Sequence, residues 1–127
     1  MRLLTITDFD PDTNFLSFDL IDILMAIKPT LGPMNWRLNQ VECVGAQADV
    51  VHKICDEEST VTTAELIELA KAIDQTIDGE FCGYPRNLNK PTLCIRAVDS
   101  DAFDIETNDI SVIALLMERF ERIHEVV

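Results

Sequence analysis

The sequence predicts an α+β fold, in which a mixed or antiparallel sheet of about four strands is covered mainly on one face by helices. Two short segments near the C-terminus alternate apolar and polar residues and are joined by a turn, as in a β-hairpin. A segment with helical spacing follows the hairpin directly. The remaining strands and helices do not alternate regularly enough for a doubly wound parallel sheet.

The hairpin is the clearest of these features. Residues 92–98 and 102–107 each alternate, and Asp99, Ser100 and Asp101 suit a short turn between them. A three-residue loop would pair position 95 with 105 and place Arg96 across from Asp104 on the solvent face. A register shifted by one residue would bury the acids. The inward residues are then Leu93, Ile95, Phe103 and Ile105.

The hairpin is followed by a predicted amphipathic helix that reaches the end of the chain. Asn108 or Asp109 can cap it. Apolar residues recur at helical spacing beyond this cap. They are Ile110, Ile113, Met117, Phe120, Ile123 and Val127.

The first third of the chain predicts a strand, a helix and a second strand. The first strand covers Arg2–Phe9, and the helix begins at a Ser17 cap and ends before Pro29. The second strand covers Trp36–Val44. Its alternation changes phase in the middle, which predicts a β-bulge near Asn39 or Gln40.

The middle of the chain predicts two helices and a short edge strand. Val50, Val51 and Ile54 mark a first helix, which closes in the acidic run 56–58. Thr62 and Glu65 have the form of a capping box, and the apolar stripe after them continues to Gly79. Residues 81–84 form the edge strand and 85–91 a loop. The predicted order is therefore β-α-β-α-α-β-β-α.

Composition limits the classes of function. The 127 residues, 47% of them hydrophobic, suit a single domain over residues 1–127, and the net charge is −13. Such an anionic surface disfavours nucleic acid and anionic membranes and favours a basic protein partner. The start Met1–Leu4 runs at once into polar residues, without the apolar core of a signal peptide. We therefore expect a cytoplasmic protein without a membrane span.

The cysteines and histidines do not form a recognisable ligand set. Cys43, Cys55, Cys82 and Cys94 are far apart in sequence, so reduced, packed thiols are expected. His52 and Cys55 share a helical face, but no tight ligand pair accompanies them. We predict no cofactor, no metal site and no catalytic residue, and an enzyme is the less favoured interpretation.

An aspartate cluster near the N-terminus is the strongest candidate for chemistry. Asp8, Asp10 and Asp12 follow the first strand in the pattern D-x-D-x-D. An EF-hand calcium loop would need a glycine where Thr13 stands, and a haloacid-dehalogenase-like phosphatase would need Thr or Val in place of Asp12. The alternative is a solvated loop with turn-forming aspartates.

Positive charge is unevenly distributed along the chain. Residues 23–41 and 81–98 contain no acid and hold half of the basic residues, including Lys28, Arg37 and Lys90. If these stretches are adjacent, the surface is polarised, with Trp36 and Tyr84 as candidate aromatic anchors. The alternative is that Trp36 belongs to the core.

These observations favour a small, acidic, non-enzymatic interaction protein. Its size, its composition and the absence of a catalytic motif are similar to those of small bacterial immunity and inhibitor proteins, which present carboxylates to a basic toxin or nuclease. An alternative is a small metal-dependent enzyme or binding module that uses the Asp8, Asp10 and Asp12 cluster. A third is a homodimer whose interface is formed partly by the helix stripes. The predicted partner-binding residues are Asp8, Asp10, Asp12, Asp99 and Asp101.

Overall fold

The computed structural model describes residues 1–127 as one antiparallel sheet of seven strands with four α-helices. The strands are β1 (Arg2–Ile6), β2 (Met34–Gly45), β3 (Thr60–Thr62), β4 (Ile73–Pro85), β5 (Leu93–Val98), β6 (Ala102–Thr107) and β7 (Ile123–Val126). The helices are α1 (Leu20–Ile27), which a 3-10 turn (Lys28–Thr30) extends, α2 (Ala48–Asp56), α3 (Thr63–Lys71) and α4 (Ile110–Arg119).

The predicted α+β class is confirmed, but the prediction of about four strands is wrong. The sheet is antiparallel throughout and has the strand order β3-β2-β4-β5-β6-β1-β7. Along the chain the order is β-α-β-α-β-α-β-β-β-α-β. None of the four helices is long and apolar enough to cross a membrane.

The two faces of the sheet have different environments. Phe81, Ile95, Ile105 and Leu4 lie in register across β4, β5, β6 and β1, and each is fully buried. Helix residues such as Leu24 belong to the same core cluster. The next row along the strands points the other way and contains polar side chains that are only partly buried. We call this second side the open face.

The structure confirms the predicted register of the β5–β6 hairpin. Ile95 pairs with Ile105 and Arg96 with Asp104. Asp99 and Ser100 both have positive φ, 48° and 61°, and the amide of Asp101 donates to the carbonyl of Val98. This combination is the geometry of a type I′ turn, whose twist matches that of the flanking strands.

The predicted bulge in β2 is also confirmed. The register with β4 shifts between Asn39 and Glu42, and Gln40 has a φ of 51°. Opposite it, Gly79 has a φ of 131°, and a Cβ atom there would lie 2.6 Å from the Cα of Val41. The bulge moves Val41 onto the core face already occupied by Leu38, which accounts for the change of phase in the sequence.

Two predicted helices are shorter than expected because strands replace their ends. Helix α3 has the predicted Thr62–Glu65 capping box but ends at Lys71, and β4 begins at Ile73 instead of at residue 81. Helix α4 ends at Arg119, and residues 123–126 form β7 along β1. In both places backbone pairing with a neighbouring strand prevails over helical periodicity.

The N-terminus of α1 lies two residues after the predicted Ser17 cap. Asp19 caps the helix and accepts from the amide of Leu20 at 2.7 Å. The same carboxylate accepts from the amide of Thr76 at 2.9 Å and from its hydroxyl at 2.5 Å. Asp19 therefore joins α1 to β4 and satisfies Thr76, which is 2% exposed.

Candidate functional site

Asp8 has a structural contact that its sequence context did not reveal. Its two carboxylate oxygens accept hydrogen bonds from the backbone amides of Glu121, at 3.0 Å, and Arg122, at 2.6 Å. The backbone carbonyl oxygen of Asp8 also accepts a hydrogen bond from the amide of Ser17 at 3.1 Å. This residue connects the loop after β1 to the start of β7, so both of its side-chain oxygens are engaged within the chain.

Asp10 and Asp12 form a turn in the loop that follows. The Asp10 carboxylate accepts the amide of Asp12 at 2.9 Å, and the Asp10 carbonyl accepts the amide of Asn14 at 2.8 Å. Asp12 is exposed and its carboxylate has no hydrogen-bond partner in the chain. Nowhere in the chain are three or more His, Cys, Asp or Glu side chains grouped to hold a metal ion.

Asp99 and Asp101 lie at the tip of the β5–β6 hairpin, where both are exposed. The tip is held against β4, because the amide of Asp99 donates to the Asp78 carboxylate at 2.9 Å and that of Ser100 to the Ile77 carbonyl at 2.9 Å. The hairpin end is thus fixed against the bulged half of β4.

The hairpin tip and the aspartate loop, which are distant in sequence, meet at the same end of the sheet. Thr7, Phe9, Asn14 and Leu16 of the loop share a shallow cavity of about 280 Å³ with Ser100 and Asp101. The predicted residues Asp10, Asp12, Asp99 and Asp101 therefore belong to one region of the surface.

Three further acids extend this region, and sequence reasoning missed them. Asp74 and Asp78 belong to β4, and Glu42 is paired with Asp78 across the bulge. The sequence analysis predicts a helix that continues to Gly79 and so includes residues 74 and 78, and nothing in that helix connects them to the hairpin. We define the acidic rim as Asp10, Asp12, Glu42, Asp74, Asp78, Asp99 and Asp101.

The carboxylates of the acidic rim have no cationic partner within the chain. The ion pairs of the protein join Arg2 to Glu125, Lys71 to Glu68, and Arg96 to both Glu80 and Glu106. None of them includes a rim residue. Arg122 lies near the loop, but its guanidinium stacks on Phe9, 4.6 Å from the ring centroid.

The two acid-free stretches meet at the opposite end of the sheet. Met34 pairs with Pro85, and a cavity of about 620 Å³ lies between residues 30–34 and 90–93. Lys28, Arg86 and Lys90 are exposed at this end. The acidic rim therefore lies at one end of the strands, with Arg122 beside its loop, and the three basic side chains lie at the other end, where Asp109 is the acid that lines the cavity.

The two candidate aromatic anchors differ in their environments. Trp36 is fully buried in the core, where its indole Nε1 donates to the Thr63 hydroxyl at 3.0 Å. Tyr84 is half-buried, and the Arg37 guanidinium lies 5.1 Å from its ring centroid. Trp36 is therefore a packing residue, as the alternative interpretation expected.

A charge network occupies the centre of the open face. Arg96 donates to Glu80 on β4 at 2.6 Å and to Glu106 on β6, whereas its directly opposite neighbour Asp104 accepts from the Thr5 hydroxyl at 2.8 Å. Burial alone would lower the pKa of Arg96, but the hydrogen bonds and charges of the two glutamates outweigh it and raise the pKa. This network is internally compensated, in contrast to the acidic rim.

The expectation of four reduced thiols is not what the structure shows. Cys82 and Cys94 lie directly opposite each other on β4 and β5, with Cα atoms 4.2 Å apart, and form a disulfide. Cys43 and Cys55 are free. Burial raises the pKa of the Cys43 thiol, with smaller contributions from Cys55 and Asp19. A thiol with a raised pKa is a poor nucleophile at neutral pH.

No family model matches the chain, and neither the curated proteins nor the solved structures give a significant match.

Proposed function

We propose that this protein is a small, acidic, non-enzymatic interaction protein of the bacterial immunity or inhibitor type, and that its acidic rim binds a basic protein. One observation carries the proposal. Seven carboxylates from four separate segments meet at one end of the sheet, and none forms an ion pair within the chain. Such charges are free to pair with Lys or Arg side chains of a partner.

The polarity of the molecule supports end-on docking of that partner. The rim is anionic while the opposite end presents Lys28, Arg86 and Lys90. A charge separation of this kind orients an approaching basic protein towards the rim and increases the association rate. The turn geometry at Asp99 and Asp101 holds these side chains on a rigid support, which lowers the entropic cost of forming the complex.

Affinity capture with charge-matched baits tests the proposal. The wild-type protein is compared with two variants, each lacking five negative charges. The rim variant replaces Asp10, Asp12, Asp74, Asp99 and Asp101 by Asn. The control variant replaces Asp56 by Asn and Glu57, Glu58, Glu118 and Glu121 by Gln. The control side chains are exposed and form no ion pair or side-chain hydrogen bond.

We expect the wild-type protein and the control variant to capture the same basic protein from a lysate of the organism that encodes the wild-type protein. The rim variant should not capture it. Asparagine at position 10 keeps the oxygen that accepts the Asp12 amide, so the loop should remain folded. Equal retention by all three baits would show that the acidic rim is not the binding surface. Equal loss from both variants would mean that only net charge matters.

The alternative is a metal-dependent function of Asp8, Asp10 and Asp12. It is less well supported, because the carboxylate oxygens of Asp8 already accept two backbone amides. Metal analysis of protein purified without chelator, with an Asp8→Asn control, separates the two proposals. A stoichiometric metal that the variant loses would favour the alternative. A homodimer is the third proposal, and sedimentation equilibrium distinguishes it from a monomer.

We also propose that the protein acts in the cytoplasm. The two free thiols, Cys43 and Cys55, support this, since unpaired cysteines are uncommon in oxidising compartments. The Cys82–Cys94 disulfide argues for the opposite. Alkylation of thiols in intact cells, followed by mass spectrometry, distinguishes a reducing from an oxidising compartment. A reduced Cys82–Cys94 pair fits the cytoplasm, and a fully oxidised pair contradicts a cytoplasmic location.

A further inference from the structure

A groove on the helical side of the molecule is separate from the acidic rim residues. It lies between α2 and α3 and has a volume of about 590 Å³. Val61 of β3 lies in it and is 6% exposed. Val50 and Ile54 of α2 line one wall, and Ala64 and Leu69 of α3 line the other.

The two walls carry small and apolar side chains at helical spacing. On α2, Val50 and Ile54 are four residues apart, so they face the same way. On α3, Ala64 and Glu68 follow the same spacing, and Ala72 at the C-cap continues it, over about two helical turns. The alanines leave space at the wall, and Val50 is 42% exposed although it is apolar. An occupant with its own apolar stripe at i, i+3 or i+4 spacing would bury Val50 and fill the groove.

The charges around the groove indicate which kind of helix fits. Glu65 and Glu68 line the α3 wall, and Asp49, Asp56 and Glu57 lie on or directly after α2. Between residues 47 and 72 there are six acids and two lysines. One of these lysines, Lys71, already pairs with Glu68 at 3.0 Å. The surroundings of the groove are therefore anionic and complementary to basic side chains.

We propose that this groove binds an amphipathic helix of another protein, with apolar residues on one face and Lys or Arg residues flanking them. A second copy of this chain is the less favourable occupant, because each copy has a net charge of −13 and docking would bring like charges together. The inference does not depend on the acidic rim, because no rim residue lines the groove.

Synthetic peptides of roughly 14 residues test the proposal by fluorescence anisotropy. The first peptide carries leucines at i, i+4, i+7 and i+11 and lysines at the flanking positions. A second keeps the lysines but replaces the leucines by glutamine, and a third keeps the leucines but replaces the lysines by glutamate. We expect only the first to bind, with a Kd below about 200 µM at physiological salt.

Two matched substitutions locate the binding site. Val50→Arg places a cation in the groove and should weaken binding of the first peptide by about tenfold or more. Val44→Arg makes the same change at an exposed valine outside the groove, so its Kd should stay within about twofold of wild type. Both valines are at least 42% exposed, so we expect the variants to fold, and circular dichroism checks this. The rim variant keeps all six acids between residues 47 and 72, so its Kd for the first peptide should also stay within about twofold of wild type.

Several results would overturn the inference. The first is that the first peptide shows no saturable binding. The second is that the glutamate or glutamine peptide binds with the same Kd as the first peptide. The third is that Val50→Arg and Val44→Arg weaken binding of the first peptide equally. Amide chemical-shift changes concentrated outside residues 47–72 would do the same. So would a homodimer that Val50→Arg dissociates, because the groove would then be occupied by a second copy. If no peptide binds but the acidic rim captures the basic protein, this inference fails and the proposed function stands. If the first peptide binds but the acidic rim captures no basic protein, only the proposed function fails.

Discussion

Asp8 joins the loop after β1 to the start of β7 through its carboxylate, which accepts the amide of Arg122 at 2.6 Å and that of Glu121 at 3.0 Å. Asp8→Ala leaves both amides without this partner and should destabilise the protein by about 1–2 kcal/mol. Asp8→Asn keeps one acceptor oxygen and should cost less. Urea unfolding measures both, with Asp12→Asn as a control that removes no contact. An Asp8→Ala variant as stable as wild type would show that this contact does not hold β7.

The bulge in β2 requires a glycine opposite it. Gly79→Ala should destabilise the protein by at least about 2 kcal/mol, because the added Cβ would lie 2.6 Å from the Cα of Val41 and φ is 131°. Gly32→Ala is the matched control, since its Cβ would meet no heavy atom within 4 Å. Thermal unfolding compares the two. Equal melting temperatures for the variants would contradict the bulge geometry.

The open-face network predicts energetic coupling between Arg96 and Glu106. Arg96→Gln leaves Glu80 and Glu106 without their cation, and we expect a loss of roughly 1 kcal/mol, because all three side chains are about one-third exposed and partly screened. In a double-mutant cycle, adding Glu106→Gln should recover part of this loss. The exposed pair Lys71–Glu68 provides the comparison and should show little coupling. Additive effects of the Arg96 and Glu106 substitutions would argue against the network.

The cysteine pairing predicts two reactive thiols in the denatured protein. Cys82 and Cys94 face each other on adjacent strands, whereas Cys43 and Cys55 are free. Thiol titration in denaturant should give two equivalents before reduction and four after it. In the native state Cys43 should react slowly, since burial raises its pKa. Four thiols in protein purified without reductant would contradict the disulfide.

The capping box of α3 predicts a pH-dependent stability. Two hydrogen bonds to Thr62 lower the pKa of Glu65 from its usual 4.5. The bond from the Thr62 backbone amide has the larger effect, and the bond with the Thr62 side chain has the smaller. Stabilisation by the ionised carboxylate is complete above the unfolded-state pKa and disappears as pH falls through the lower folded-state value. The melting temperature of the wild type should therefore be higher than that of Glu65→Gln at pH 7, and the difference between the two should shrink below pH 4.5. A constant difference down to pH 2 would show that ionisation of Glu65 is not the cause.

The sequence was sufficient for the elements whose signals are local. The alternation around Arg96 and Asp104 determines the hairpin register, and the Thr62–Glu65 box marks the start of α3. The extents of β4 and β7 were not predictable, because residues 73–80 and 123–126 keep helical apolar spacing and become strands only through pairing with β2 and β1.

The same distinction applies to the candidate site. Asp99 and Asp101 were identifiable from the turn between two alternating segments. Asp74 and Asp78 were not, because they join the acidic rim only once β4 is recognised as a strand. The structural role of Asp8 depends on amides more than 110 positions away along the chain, which no local pattern reveals.

The most direct test of the proposed function is the salt dependence of the affinity for the captured basic protein, measured by titration calorimetry for wild type, rim variant and control variant. The proposal predicts that the wild-type Kd rises steeply between about 50 and 300 mM salt, that the control variant follows it closely, and that the rim variant binds weakly with a flattened dependence. A wild-type affinity that is insensitive to salt, or a rim variant that binds as tightly as the control variant, would contradict it.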